Sequence, residues 1–147
     1  MRQILADARG HLAISSVLGA GLDVLRHEEL TSAILGAAIE VHSRLGPGML
    51  ESAYDACLGC EFASRGIAFE RQLPLPVVFK GTSLDCGYRL DFLVARLVVV
   101  ELKSIDGFLP IHEAQLLTYL RLGRFPVGLM INFNVLKLKD GIMRRVM

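Results

Sequence analysis

Only three cysteines, Cys57, Cys60 and Cys86, occur in the 147 residues, and an odd number this small argues against a disulfide framework. Cys57 and Cys60 form a C-x-x-C, but no second pair completes a four-thiolate site. The motif also lies inside a helical pattern, so both thiols are expected to be small buried hydrophobes. Net charge is nearly absent too, at +1. A protein that holds nucleic acid mainly through its phosphate backbone carries a marked basic excess, so any such surface must be local. The candidate is the stretch 121–147, where Arg121, Arg124, Lys137, Lys139, Arg144 and Arg145 face Asp140 alone, leaving +5. Taken by itself this is a solvated face. Long hydrophobic runs are missing as well. The uncharged stretch from Leu12 to Leu22 is too short to span a bilayer, which argues for no membrane partner. Asp7 stands where a signal peptide would have its apolar run, so a cytoplasmic protein is expected. Internal repeats, low-complexity segments and domain linkers are lacking.

What is there is a core. With 52% hydrophobic and 21% charged residues, the chain has the profile of one globular domain rather than of a disordered one. The apolar surplus leaves a homo-oligomer interface open. Residues 1–26 show weak periodicity and read as a loosely attached extension, with the domain proper over 27–147. Leu30, Ile34, Ala37, Ala38, Val41 and Leu45 recur at helical spacing, which predicts a helix over Glu28–Leu45. Gly46-Pro47-Gly48 stops it, and a second helix should run from about Met49 to Arg65, with Gly66 as its terminal glycine. Strands are expected over Ile67–Gln72, Pro76–Lys80, Ser83–Ala95 and Leu97–Ser104. Pro110 opens a third helix to about Leu122. Val127–Asn132 reads as a buried strand, and Val135–Val146 as one or two edge strands around Gly141.

The chemistry concentrates in Tyr88–Lys103. If its two strands pair antiparallel about Arg96, Asp91 lies opposite Glu101 and Arg89 opposite Lys103. Alternation then puts Tyr88, Leu90, Phe92, Val94, Val98, Val100 and Leu102 on a wholly apolar face. A register shift of one residue would scatter the charges through that core, so the hydrophobic pattern selects the arrangement that gathers them. Two opposed carboxylates repel and raise each other's pKa unless a cation lies between them. Mg²⁺ or Mn²⁺ suits such oxygen donors. An equally available account is a salt-bridge network in which Arg89 and Lys103 neutralise the two acids.

The string Asp91 … Glu101-Leu102-Lys103 resembles the D…(D/E)-x-K signature of the PD-(D/E)XK nuclease superfamily. Gly48-Met49-Leu50-Glu51-Ser52-Ala53-Tyr54 is similar to the G-x-x-E-x-x-Y motif of a small bacterial family within it. Gln115-Leu116-Leu117-Thr118-Tyr119 is similar to the Q-x-x-x-Y motif of its RecB-like branch. The resemblance runs from about Glu28 to Val146. It implies a restriction-endonuclease-like α/β (α+β) core, a central mixed sheet flanked by helices, here in the order α-α-β-β-β-β-α-β-β. It further implies Glu51, Asp91 and Glu101 as ligands of Mg²⁺ or Mn²⁺ and Lys103 as the catalytic lysine. Gln115 and Tyr119, one turn apart, would face the site or a phosphate. Leu90 replaces the signature proline, at a position that packs rather than reacts. Iron–sulfur members need four cysteines, which this chain lacks.

Each residue also has a plainer account. Glu51 could simply favour the positive end of its helix. Tyr54 is expected to pack, and His42 and His112 to be structural. The function implied is metal-dependent hydrolysis of DNA or RNA. The alternative is a catalytically silent nucleic-acid-binding or partner-regulated module of the same fold. A redox protein built on the C-x-x-C is disfavoured.

Overall fold

The structure, a computed structural model, describes residues 27–147, so the extension expected over 1–26 lies outside the described residues. Helix α1 covers residues 27–45 of the described part. Its Ile34, Ala37, Ala38 and Val41 are buried, the stripe that helical spacing anticipated. Helix α2 (Glu51–Ser64) follows the glycine-proline-glycine break and ends before Gly66, whose φ of 68° only a glycine adopts freely. Strands β1 (Phe69–Pro74), β2 (Val77–Phe79), β3 (Thr82–Leu84), β4 (Arg89–Val94) and β5 (Val98–Lys103) come next. Helix α3 (Pro110–Gly123), β6 (Val127–Asn132), a 3-10 turn at Leu138–Gly141 and β7 (Ile142–Val146) complete the chain.

Among the described residues five strands therefore precede α3, where the sequence pattern suggested four. The expected strand Ser83–Ala95 is two, because residues 85–88 turn. Asp85 Oδ1 accepts from the Gly87 N–H at 2.9 Å, and Gly87 has a φ of 78°. This local Asx-type bond outweighs the apolar pattern around it. Past Asn132 there is one strand, β7, preceded by the 3-10 turn.

The main sheet has the order β1-β4-β5-β6-β7, antiparallel except for the parallel β5–β6 pair, and β2–β3 form a separate ribbon. This is the mixed sheet flanked by helices of the restriction-endonuclease-like class. Side-chain alternation makes two cores. Phe92, Val94, Val98, Val100, Leu102, Leu129 and Ile131 pack with α1 and α2 on one face. Leu93, Val99 and Met130 pack with Leu116, Tyr119 and Leu120 of α3 on the other. Gly128 lets α3 approach, since a Cβ there would lie 2.8 Å from Leu116 Cδ1.

The β4–β5 register is the one the pattern selected: Phe92–Val100, Leu93–Val99 and Val94–Val98 are partners. The supposed uniform face is not. Leu90 packs with the α3 cluster, and Tyr88 precedes the strand and is exposed. Alternation thus breaks between Leu90 and Phe92, at Asp91, where the regular ladder stops. The cysteines are also corrected: Cys57 is half-buried, while Cys60 and Cys86 are exposed and all three are free. Positions three apart on a helix point about 60° from each other, so with Cys57 already at the rim of the core Cys60 falls just outside it.

Candidate active site

Where the β4–β5 ladder ends, side chains replace backbone carbonyls as acceptors. The Asp91 N–H donates to Glu101 Oε1 at 3.0 Å, and the Leu102 N–H donates to Asp91 Oδ2 at 2.8 Å. Each carboxylate is held by the opposite strand. This crossed pair fixes the two acids in mutual contact, as the predicted register required. Glu101 is buried and Asp91 half-buried. Burial, then the charge of Asp91, pushes Glu101 up to about 9, so it keeps a proton that it shares with Asp91. Burial also raises Asp91, against the pull of the Leu102 N–H.

Lys103 lies two residues past Glu101 and Arg89 two before Asp91. The salt-bridge network that would neutralise the acids is not formed: among the described residues neither cation makes an ion pair. The negative charge at the hairpin end is therefore uncompensated by a direct partner.

Glu51 opens α2, which is brought to this end of the sheet by two contacts. Ser104 Oγ donates to the Met49 carbonyl at 2.7 Å. Tyr54 Oη donates to the Gly46 carbonyl at 2.5 Å and accepts from the Met49 N–H at 3.2 Å. The Tyr54 ring stacks on Phe133 at 4.6 Å, so this tyrosine packs and pins the loop, as expected. Glu51 is exposed, yet its carboxyl is raised by partial burial and then by Asp91, with Lys103 acting in the opposite sense. It senses both groups through space.

On the α3 side, Gln115 Nε2 donates to Tyr119 Oη at 3.0 Å, the one-turn pairing their spacing implied. Burial and then the carboxylates Glu101 and Asp91 hold Tyr119 above its ordinary value, against the Gln115 bond, so its hydroxyl stays protonated near them. Gln115, Tyr119 and Lys103 line one groove. His42 and His112 are structural. His42 Nε2 bonds the Val135 carbonyl at 2.7 Å, and His112 Nδ1 accepts from the Leu109 N–H at 2.9 Å at the start of α3.

Two buried polar residues beside the site, Asp55 and Asn132, escaped sequence reasoning. Asp55 lies one turn beyond Glu51, buried, and is ion-paired to Arg71 and bonded by Gln72 Nε2 at 3.4 Å. Its charge acts on both Glu51 and Asp91. The four-residue spacing from Glu51 was its signal. Asn132 binds the Ile105 N–H at 3.1 Å and the Ile105 carbonyl at 2.9 Å, anchoring the loop that leaves Lys103. Nothing in the sequence alone marks it.

The donor set fits a hard divalent cation. Mg²⁺ and Mn²⁺ take one or two protein carboxylates and keep several waters, and Asp91 with Glu101 offers oxygen donors whose charge lacks a partner. Among the described residues no three His, Cys, Asp or Glu side chains form a closed ion cage, so Glu51 stands apart from the central pair. Also among the described residues, no helix is long and apolar enough to cross a membrane.

A family model described as the PD-(D/E)XK nuclease superfamily matches residues 28–146. No curated protein and no solved structure matches the chain.

Proposed function

The chain belongs to the PD-(D/E)XK nuclease superfamily, and from that premise we propose that it is a Mg²⁺- or Mn²⁺-dependent phosphodiesterase acting on DNA or RNA in the cytoplasm. Its G-x-x-E-x-x-Y and Q-x-x-x-Y motifs support placing it in the family named for the first and in the RecB-like branch. The observation that carries the proposal is the crossed Asp91–Glu101 pair beside Lys103, which makes no ion pair among the described residues. A purely structural acid pair in this position would be ion-paired with Arg89 or Lys103, and among the described residues it is not.

Asp91 and Glu101 would hold the ion, with Glu51 reaching it directly or through water. When bound, a divalent ion polarises the phosphoryl group and makes a nearby water more acidic. Lys103, on the strand that carries Glu101, would orient the attacking water or stabilise charge gathering on the phosphoryl oxygens. Gln115 would position the Tyr119 hydroxyl, which, being protonated, can donate to a phosphate oxygen. Tyr54 and Ser104 keep Glu51 in reach of the pair. Asp55, one turn beyond Glu51 and ion-paired to Arg71, adds negative charge that acts on Glu51 and Asp91.

Cleavage of single- and double-stranded DNA and RNA in Mg²⁺ and Mn²⁺ tests this reading. The wild type should cut at least one of them, and Lys103→Ala should lower the rate by about 10²-fold or more, the scale of losing one electrostatic contact to the transition state. Equal trace rates for the two proteins would overturn the enzyme reading. Salt-sensitive binding without cleavage would favour the silent module instead.

A further inference from the structure

Beside the acid pair, Lys103 also borders a cavity of about 710 Å³ between α3 and the chain leading into β4. That volume lies within the range of roughly 300–1,000 Å³ typical of sites for small ligands. One wall is the α3 stripe that includes Ile111, Gln115 and Tyr119. The other carries Tyr88, whose ring meets Tyr119 edge-on at 6.1 Å and is exposed. Ile111 is 67% exposed on the opposite wall. Among the described residues no carboxylate lines the space, whereas Lys103 and Arg121 do. An aromatic face, an aliphatic face and two cations, continuous with a proposed phosphodiesterase centre, define what fits: a planar ring carried on an anionic backbone.

We propose that this groove is a stacking subsite for one unpaired base next to the scissile phosphate, with Tyr88 as the platform and Arg121 taking a neighbouring phosphate. It makes single-stranded or frayed nucleic acid the substrate class. A base within a duplex has both faces covered by its neighbours and cannot enter. The inference rests on the nuclease reading but addresses which strands bind, not whether they are cut.

The test is binding of fluorescently labelled single-stranded and duplex oligonucleotides to the full chain, in EDTA at low salt, so that no cleavage intervenes. Tyr88→Ala should weaken single-strand binding about tenfold or more, in the range expected for loss of base stacking on an aromatic ring. Tyr88→Phe should restore it, and duplex binding should not change. Both Tyr88 and Ile111 are exposed, so Ile111→Glu serves as a second folded probe, placing a carboxylate in the groove with a similar single-strand loss. If the wild type binds and cleaves nucleic acid but neither substitution matters, or both weaken duplex equally, the subsite is overturned while the nuclease reading stands. If the wild type binds no nucleic acid and cuts none, both readings fall.

Discussion

Glu101 holds a proton at neutral pH because burial, and then the charge of Asp91, raises its carboxyl, and among the described residues no cation is ion-paired to either acid. In the unfolded chain the same group ionises near 4.5. Above that value the folded state carries a proton that the unfolded state has released, so the unfolded state binds fewer protons and stability falls as pH rises. The contribution is complete below about 4.5 and is lost on the way to about 9. In EDTA, thermal midpoints should therefore decline from pH 5 to pH 9. Glu101→Gln should flatten that decline, since an amide donates to Asp91 at every pH. Saturating Mn²⁺ should also reduce it by supplying the missing positive charge. Superimposable pH profiles for wild type and Glu101→Gln, followed by circular dichroism on heating, would show that Glu101 is not the group responsible. The opposed acids were legible in the sequence because period-two alternation leaves one register that buries the valines. What alternation could not foretell is the use each acid makes of the partner strand's N–H. That crossed bonding depends on where the ladder stops, which the pattern Arg89–Lys103 does not encode.

The helix α2 reaches the sheet end through its first turn, so the loop before it decides where Glu51 stands. Tyr54 is the pin: its ring is fixed on Phe133 while its hydroxyl bridges the Gly46 carbonyl and the Met49 N–H. Tyr54→Phe keeps the stack and removes only the bridge. It should lower stability by about 1 kcal/mol, the typical net value of such hydrogen bonds, and reduce Mg²⁺-dependent cleavage by loosening Glu51. Urea unfolding and cleavage rates measured together check this. An unchanged midpoint would mean that Ser104 alone holds the loop. Here the G-x-x-E-x-x-Y spacing receives a physical reason: glutamate and tyrosine sit three residues apart on one helix, the first exposed at the end that carries the proposed centre and the second in the core. The helices were the elements best read from sequence, because Ile34, Ala37, Ala38 and Val41 recur with a period that strands cannot imitate. The Ser83–Ala95 strand was misread because a single bond from Asp85 to Gly87 interrupts an apolar run. Such short-range polar competition is invisible to a hydrophobic template.

Across the whole molecule the two faces of the sheet are unequal in purpose. One side is closed by α1 and α2, and Glu51 and Asp55 lie along α2. The other is closed by α3, seated on Gly128 and bearing Gln115 and Tyr119. The proposed centre lies where these faces meet at the open end of β4 and β5, so both helices must dock for it to form. With a net charge of +1, the protein has no broad field to draw nucleic acid in. Its binding must rest on a few cations at the groove, Lys103 and Arg121 foremost. Two phosphate contacts predict a logarithmic salt slope of about −1.4 for a single strand. The exposed Lys137 and Lys139 are absent from the lining of that groove, and Arg145 is engaged by Glu113 at 2.6 Å. Replacing Lys137 and Lys139 with alanine should leave the slope unchanged, whereas Arg121→Ala should make it shallower by about 0.7. Anisotropy titrations over a range of NaCl concentrations decide the matter. A wild-type slope of about −4 or steeper, reduced on removal of the two lysines, would move the phosphate path from the groove to the C-terminal basic stretch.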